Sequence, residues 1–80
     1  MNVIVYTKPR CSQCVDVKKQ FENAGIEYEE APIDERVLTL ARIKGWNAAP
    51  IVVSHTHPEY SFSGAAAHRV EDFITKHQEG

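Results

Sequence analysis

Apolar and polar positions along the chain follow two periods, and each switch between them marks the edge of an element. Val3, Ile4, Val5 and Tyr6 form an uninterrupted apolar run, which predicts a central strand over residues 2–6. Cys14, Val17, Phe21 and Ala24 then recur at helical spacing, so a helix is expected from position 11 or 12 to 24, stopped by Gly25. Its wet face carries Asp16, Lys18, Lys19, Gln20, Glu22 and Asn23. Residues 26–31 alternate, with Ile26, Tyr28 and Ala31 on one side and Glu27 and Glu29 on the other, as in an acidic strand at a sheet edge. Asp34 is a good N-cap for a helix over 35–44, with Val37, Leu40, Ala41 and Lys44 as its stripe, Leu38 and Ile43 beside them, and Gly45 as its stop. Ala48-Ala49-Pro50 leads into a third apolar strand over 51–53. A turn at 55–59 and a short fourth strand over 60–62 complete a hairpin. Ser63 or Gly64 opens a last helix to about 76, with Ala66, Val70, Phe73, Ile74 and His77 inward, before the polar tail Gln78-Glu79-Gly80.

The order is βαβαββα, an α/β arrangement in which a mixed four-stranded sheet is flanked by three helices. Its first strand–helix–strand unit should pair two parallel strands through a right-handed crossover. At 80 residues, with no repeats, low-complexity tracts or linkers, the chain is expected to be a single domain over 1–80. A chain of this size buries only about 60% of the surface its unfolded form exposes, so the core is small and no large cofactor cavity is expected. The net charge of −2 and the absence of a basic stripe argue against nucleic acid as a partner. No leader-like segment follows Met1, and nothing approaches the ~20 apolar residues of a membrane span. A cytoplasmic, monomeric protein without a membrane partner is the expectation.

The chemistry lies where the first strand hands over to the first helix. Both cysteines, Cys11 and Cys14, are here, two residues apart. At a helix N-terminus the unpaired N–H groups and the dipole favour an anion, here a thiolate, and Lys8 and Arg10 add positive charge. A bridge between them would close too short a loop to act as a staple, so a transient, functional disulfide is expected. Cys11, nearer the helix start, is the expected nucleophile, and Cys14, one turn deeper, the thiol that resolves the mixed disulfide. Gln13, between them, is placed for contact with a partner. The competing reading is half of a zinc site completed by His55 and His57. Otherwise these histidines, with His68 and His77, are solvated residues of a turn and a helix. Trp46 is either a partial-core anchor or a partner-facing aromatic.

Tyr6-Thr7-Lys8-Pro9-x-Cys11-x-x-Cys14, the βαβαββα order, Pro50 before the third strand and Ser63-Gly64 together resemble the glutaredoxin branch of the thioredoxin fold. The Cys-Ser-Gln-Cys filling, the short length and Phe62-Ser63-Gly64 are most similar to NrdH-redoxins. That resemblance implies a thioredoxin-like fold and a dithiol hydrogen donor for ribonucleotide reductase. Thioredoxin reductase would recharge it, with NADPH acting only indirectly and no cofactor or metal on the chain. It also implies a cis Pro50 beside the cysteines, presenting the Ala49 backbone to an incoming peptide. The residues expected to meet substrate or partner are Lys8, Arg10, Ser12, Gln13, Ala49, Pro50, Phe62, Ser63 and Gly64.

The chain also departs from the pattern. Glutaredoxins usually place Pro-Tyr between the cysteines and acidic residues after a Gly-Gly to hold glutathione; here stand Ser12-Gln13 and Gly64-Ala65-Ala66-Ala67-His68. NrdH-redoxins commonly carry Trp-Ser-Gly-Phe where this chain has Phe62-Ser63-Gly64-Ala65, so the apolar patch facing a reductase is smaller. Ala48-Ala49 replaces the Thr-Val type of pair before the proline. Two other functions are compatible with the residues. One is a dithiol glutaredoxin served by glutathione or another low-molecular-weight thiol; the other is a non-catalytic, redox-sensing adaptor of the same fold.

Overall fold

The computed structural model describes residues 2–79; Met1 and the tail residue Gly80 lie outside them. Strand β1 (Val3–Thr7) is followed by helix α1 (Ser12–Asn23), β2 (Glu29–Pro32), α2 (Glu35–Lys44), β3 (Ile51–Ser54), a 3-10 turn (Pro58–Tyr60), β4 (Phe62–Ser63) and α3 (Ala67–Gln78). The sheet order is β2-β1-β3-β4, so β1 is central and the acidic β2 is an edge, as their composition predicts. β1 pairs parallel to β2 and antiparallel to β3, and β4 completes an antiparallel hairpin with β3.

The period-2 alternation of β1 decides which helix covers which face. Val3 and Val5 point to the same side as Val52, where α1 contributes Val17 and Phe21 and α3 contributes Val70 and Phe73. Tyr6, Ile51 and Val53 face the other side, against Val37 and Ala41 of α2 and the half-buried Trp46, which is therefore a core anchor. Phe73 is the hub of the larger cluster: its ring stacks on Phe21 at 5.1 Å and meets Phe62 edge-on at 5.5 Å.

Several elements differ from expectation. β2 begins at Glu29, three residues late, although Ile26 and Tyr28 still pack on the core. α2 forms as predicted, capped by the Asp34 carboxylate on the Val37 N–H at 3.0 Å, but its stripe is narrower. Ile43 sits about 140° around the helix from the midline of Val37 and Ala41, and it is 76% exposed; Leu38 is 43% exposed. A ten-residue helix lying on one sheet face can bury only a narrow arc. The fourth strand is shifted to Phe62–Ser63. α3 starts at Ala67, not at Ser63 or Gly64, because Gly64 (φ +83°) turns the chain and donates its N–H to the Pro50 carbonyl at 2.9 Å. Ala66 thus becomes an exposed N-cap position instead of a core residue. His77 is inward, as the stripe of the last helix has it, and half-buried: its Nε2 lies 2.7 Å from Ser54 Oγ and its Nδ1 2.7 Å from the Phe73 carbonyl.

Candidate active site

The loop between β1 and α1 aims the first cysteine. Arg10 adopts φ +56°, a left-handed conformation that costs a non-glycine residue about 1–2 kcal/mol. Such outliers persist where the surroundings impose them, and here the next residue is Cys11. Cys11 is the N-cap of α1, extended at φ −112° and ψ 100°, with Sγ accepting the Cys14 N–H at 3.1 Å. A sulfur thus occupies the place of the usual N-cap oxygen, satisfying one of the orphan donors of the helix start. The two cysteines are joined as a disulfide, with Cα atoms 5.2 Å apart. Cys11 is half-exposed, whereas Cys14, one turn further in, is 2% exposed.

The second part of the site comes from β3. Pairing of Tyr6 with Ile51 brings the start of β3 beside the end of β1, so the cis Ala49–Pro50 bond lies at the cysteine pole of the sheet. Ala49 and Pro50 are buried, and Gly64 backs them. A cleft of about 390 Å³ that includes Cys11, Cys14, Val15, Lys18 and Glu30 opens on one flank of the pair. A smaller one of about 260 Å³ opens on the other, with Gln13, Ala48 and Ala49 in its wall. Lys8 and Arg10 border both. They are exposed, and the ion pairs among the described residues involve neither.

Of the residues expected to meet a partner, Lys8, Arg10, Ser12 and Gln13 lie at the surface around Cys11, and Ala49 lines a cleft with it, whereas Pro50 and Gly64 are buried and line neither cleft. Ser63 is half-buried at the end of β4. Phe62 is a correction: it is 1% exposed and packs on Phe73, so its side chain offers no surface to a partner. Its inward position follows from β4 pairing Phe62 with the core residue Val52.

The sequence reading missed Lys18 and Glu30. Lys18 Nζ lies 3.1 Å from Glu30 Oε2, which also accepts from Thr7 Oγ1 at 3.2 Å. Spacing alone could have found Lys18, four residues after Cys14 and thus on the same helix face. Glu30 requires the parallel register that sets it opposite Val5, next to the Tyr6–Ala31 and Thr7–Pro32 pairs.

A shared zinc centre does not form. Val3 pairs with Ser54, so His55 and His57 lie near the start of β1, whereas the cysteines follow its end. Five strand residues separate the two groups by roughly 15 Å, far beyond a common coordination sphere. Among the described residues no group of three or more His, Cys, Asp or Glu side chains is placed to hold a metal ion. A cleft of about 430 Å³ lined by His57, His77 and Glu27 at that far pole is larger than either cleft beside the cysteines, so size does not mark the reactive site. No described helix is long and apolar enough to cross a membrane. Well away from the cysteines, Tyr28 is pushed up to about 12, first by burial and then by its hydrogen bond to Glu22 at 2.6 Å and the charges of Glu22 and Glu30.

Known proteins resemble this chain in sequence and fold. The glutaredoxin family model matches residues 3–58, which include the cysteine pair and the β1–α1–β2 unit. The glutaredoxin-like NrdH proteins of two Lactococcus lactis strains, subspecies lactis IL1403 and subspecies cremoris MG1363, are each 36% identical over 64 residues, 78% of this chain and 85% of theirs. The structure of the Escherichia coli NrdH-redoxin, a glutaredoxin-like protein with a thioredoxin-like activity profile, superposes with a TM-score of 0.73 at 26% identity, covering 90% of this chain and 93% of that one. The fold is accordingly thioredoxin-like. The chain belongs to the glutaredoxin family, as a glutaredoxin-like, NrdH-type redoxin whose Cys11–Cys14 pair makes it a thiol–disulfide oxidoreductase.

Proposed function

We propose that this redoxin is a dithiol hydrogen donor to ribonucleotide reductase and is itself re-reduced by thioredoxin reductase at the expense of NADPH. The observation that carries the reading is the asymmetry of the pair: a half-exposed sulfur capping α1 in front of a buried one, with a backbone N–H on the first. In the reduced protein Cys11 would ionise readily, since a hydrogen bond to an ionised sulfur and the helix dipole both favour the thiolate. That thiolate attacks a substrate disulfide, whose far sulfur leaves with the electron pair and takes up a proton. Cys14 then loses its proton and attacks Cys11, releasing the second substrate thiol and closing the Cys11–Cys14 bond. Two electrons pass to the substrate, and no metal or organic group on the chain is needed.

Ala49, beside the cis proline, serves as the backbone to which an incoming peptide pairs, and Lys8 and Arg10 steer an anionic partner by long-range attraction. A protein reductant is favoured over glutathione because Gly64 is followed by three alanines where glutathione would need acidic partners for its amine. A reducing compartment suits this cycle. The exposed cations favour the second reading, a small acidic thiol as reductant. Oxidised protein offered NADPH with thioredoxin reductase, in parallel with NADPH, glutathione and glutathione reductase, separates the two. Rapid NADPH consumption only in the glutathione arm would reject the proposal, and failure to reduce insulin after chemical reduction would point to an adaptor.

A further inference from the structure

Cys14 poses a chemical problem that Cys11 does not. Its sulfur must ionise to resolve the mixed disulfide, yet it is 2% exposed, and burial opposes a thiolate. The helix-start N–H that serves Cys11 is its own, directed away from it towards Cys11 Sγ. The charged groups that share its cleft are Lys8 and Arg10 from the loop, Lys18 from α1 and Glu30 from β2. Lys8 and Arg10 are exposed, so solvent screens them. Lys18 differs: it stands one turn along the same helix face as Cys14, its side chain is 23% exposed, and Glu30 Oε2 holds its ammonium at 3.1 Å. Glu30 is in turn tied to the end of β1 through Thr7 Oγ1.

We propose that Lys18, fixed by Glu30, is a positioning residue for the resolving step. Its ammonium stabilises the Cys14 thiolate from the side opposite the substrate, while Glu30 sets where that charge sits and partly offsets it. The step balances without any further reactant. The Cys14 proton passes to solvent through the open cleft, the Cys14–Cys11 bond forms, and the Cys11–substrate bond breaks with its electron pair leaving on the substrate sulfur. This inference rests on Cys14 being the resolving thiol.

The reduced protein reacting with an aromatic disulfide such as 5,5′-dithiobis(2-nitrobenzoate) releases one coloured thiolate when Cys11 attacks and a second when Cys14 resolves. Stopped-flow absorbance across a pH series therefore reads the two ionisations separately. Lys18→Met should move the midpoint of the second phase upward by roughly one unit. Thiolate would fall about tenfold below both midpoints, while the more basic sulfur recovers about threefold in intrinsic reactivity, a net slowing of about threefold. The first phase should stay within about a fifth of a unit, since screening weakens Lys18 at the more exposed sulfur. Glu30→Gln should move the second midpoint the other way, and Lys18→Arg should restore it. A second phase unmoved by both Lys18→Met and Glu30→Gln, or moved by both in one direction, would overturn the inference alone. Absence of any second phase in the unaltered protein would overturn the role of Cys14, and the inference with it.

Discussion

Gly64 is where stability and chemistry meet, and replacing it with alanine tests both. Its φ of +83° costs an alanine about 1–2 kcal/mol. A Cβ built there would also lie 3.3 Å from Ala48 Cβ, closer than the two methyls settle without a shift of a few tenths of an ångström. Ala48 is joined to Ala49 and the cis Pro50, whose carbonyl accepts the Gly64 N–H at 2.9 Å, so the shift is passed to the wall beside Cys11. Gly25 provides the control: its φ is +73°, nothing lies within 4 Å of its added Cβ, and it lines the far-pole cleft. In a domain of this size each kcal/mol is worth about 4–8 °C in Tm, so both variants should lose roughly 5–15 °C by calorimetry. Insulin reduction measured below both melting points should separate them. Gly25→Ala should keep its kcat/KM, whereas Gly64→Ala should lose on the order of several-fold, given that ~1 Å of misplacement costs about 100-fold. Equal activities in two variants of equal stability would refute the link between Gly64 and the reactive pole. Unchanged melting in both would refute the backbone argument.

Other substitutions probe other parts of the molecule. Cys11→Ser should abolish reduction of protein disulfides, whereas Cys14→Ser should accumulate a covalent substrate adduct visible by intact mass; full turnover in Cys11→Ser would reverse the roles. Phe73→Ala removes the ring on which Phe21, Phe62 and His77 converge. It should cost about 3–5 kcal/mol and leave little two-state transition by circular dichroism; a loss under about 1 kcal/mol would contradict its central place. Tyr28 holds its proton up to about 12 against an ordinary 10. A raised folded value means that its contribution to stability is intact below pH 10 and is lost as pH climbs towards 12. Ultraviolet titration should show a late phenolate component that Tyr28→Phe removes; a titration unaltered by that change would contradict the shift.

Much of this could be read from the residues in order. The apolar run at Val3–Tyr6, the helical recurrence through Phe21 and the Asp34 cap are local signals, and local signals carried the element order and the cysteine site. What they could not carry was direction. Ile43 looked like part of an apolar stripe, but its side of α2 faces solvent, and only the three-dimensional arrangement reveals that. Phe62 sat in a motif that suggested a partner surface, while strand pairing with Val52 turned it inward. Ser63 and Gly64 resembled a helix start because both residue types favour caps; the hydrogen bond to Pro50 that turns the chain there comes from fourteen positions away. Lys18 and Glu30 fell outside the motif for the same reason, since β2 brings one to the other across twelve residues.

The antiparallel register of β1 and β3 has an architectural consequence. Because those two strands run in opposite senses, one carries its exit and the other its entrance to the same rim, and the reactive sulfurs and the proline are brought to one end of the sheet by its most interior hydrogen-bonded ribbon. The hairpin bend at 55–59 is thereby exiled to the antipode, a strand's length from the electron-exchange surface. A tag or reporter spliced into that bend is expected to leave catalysis intact, while lengthening either ribbon by a single residue would invert its pleat and uncouple sulfur from proline.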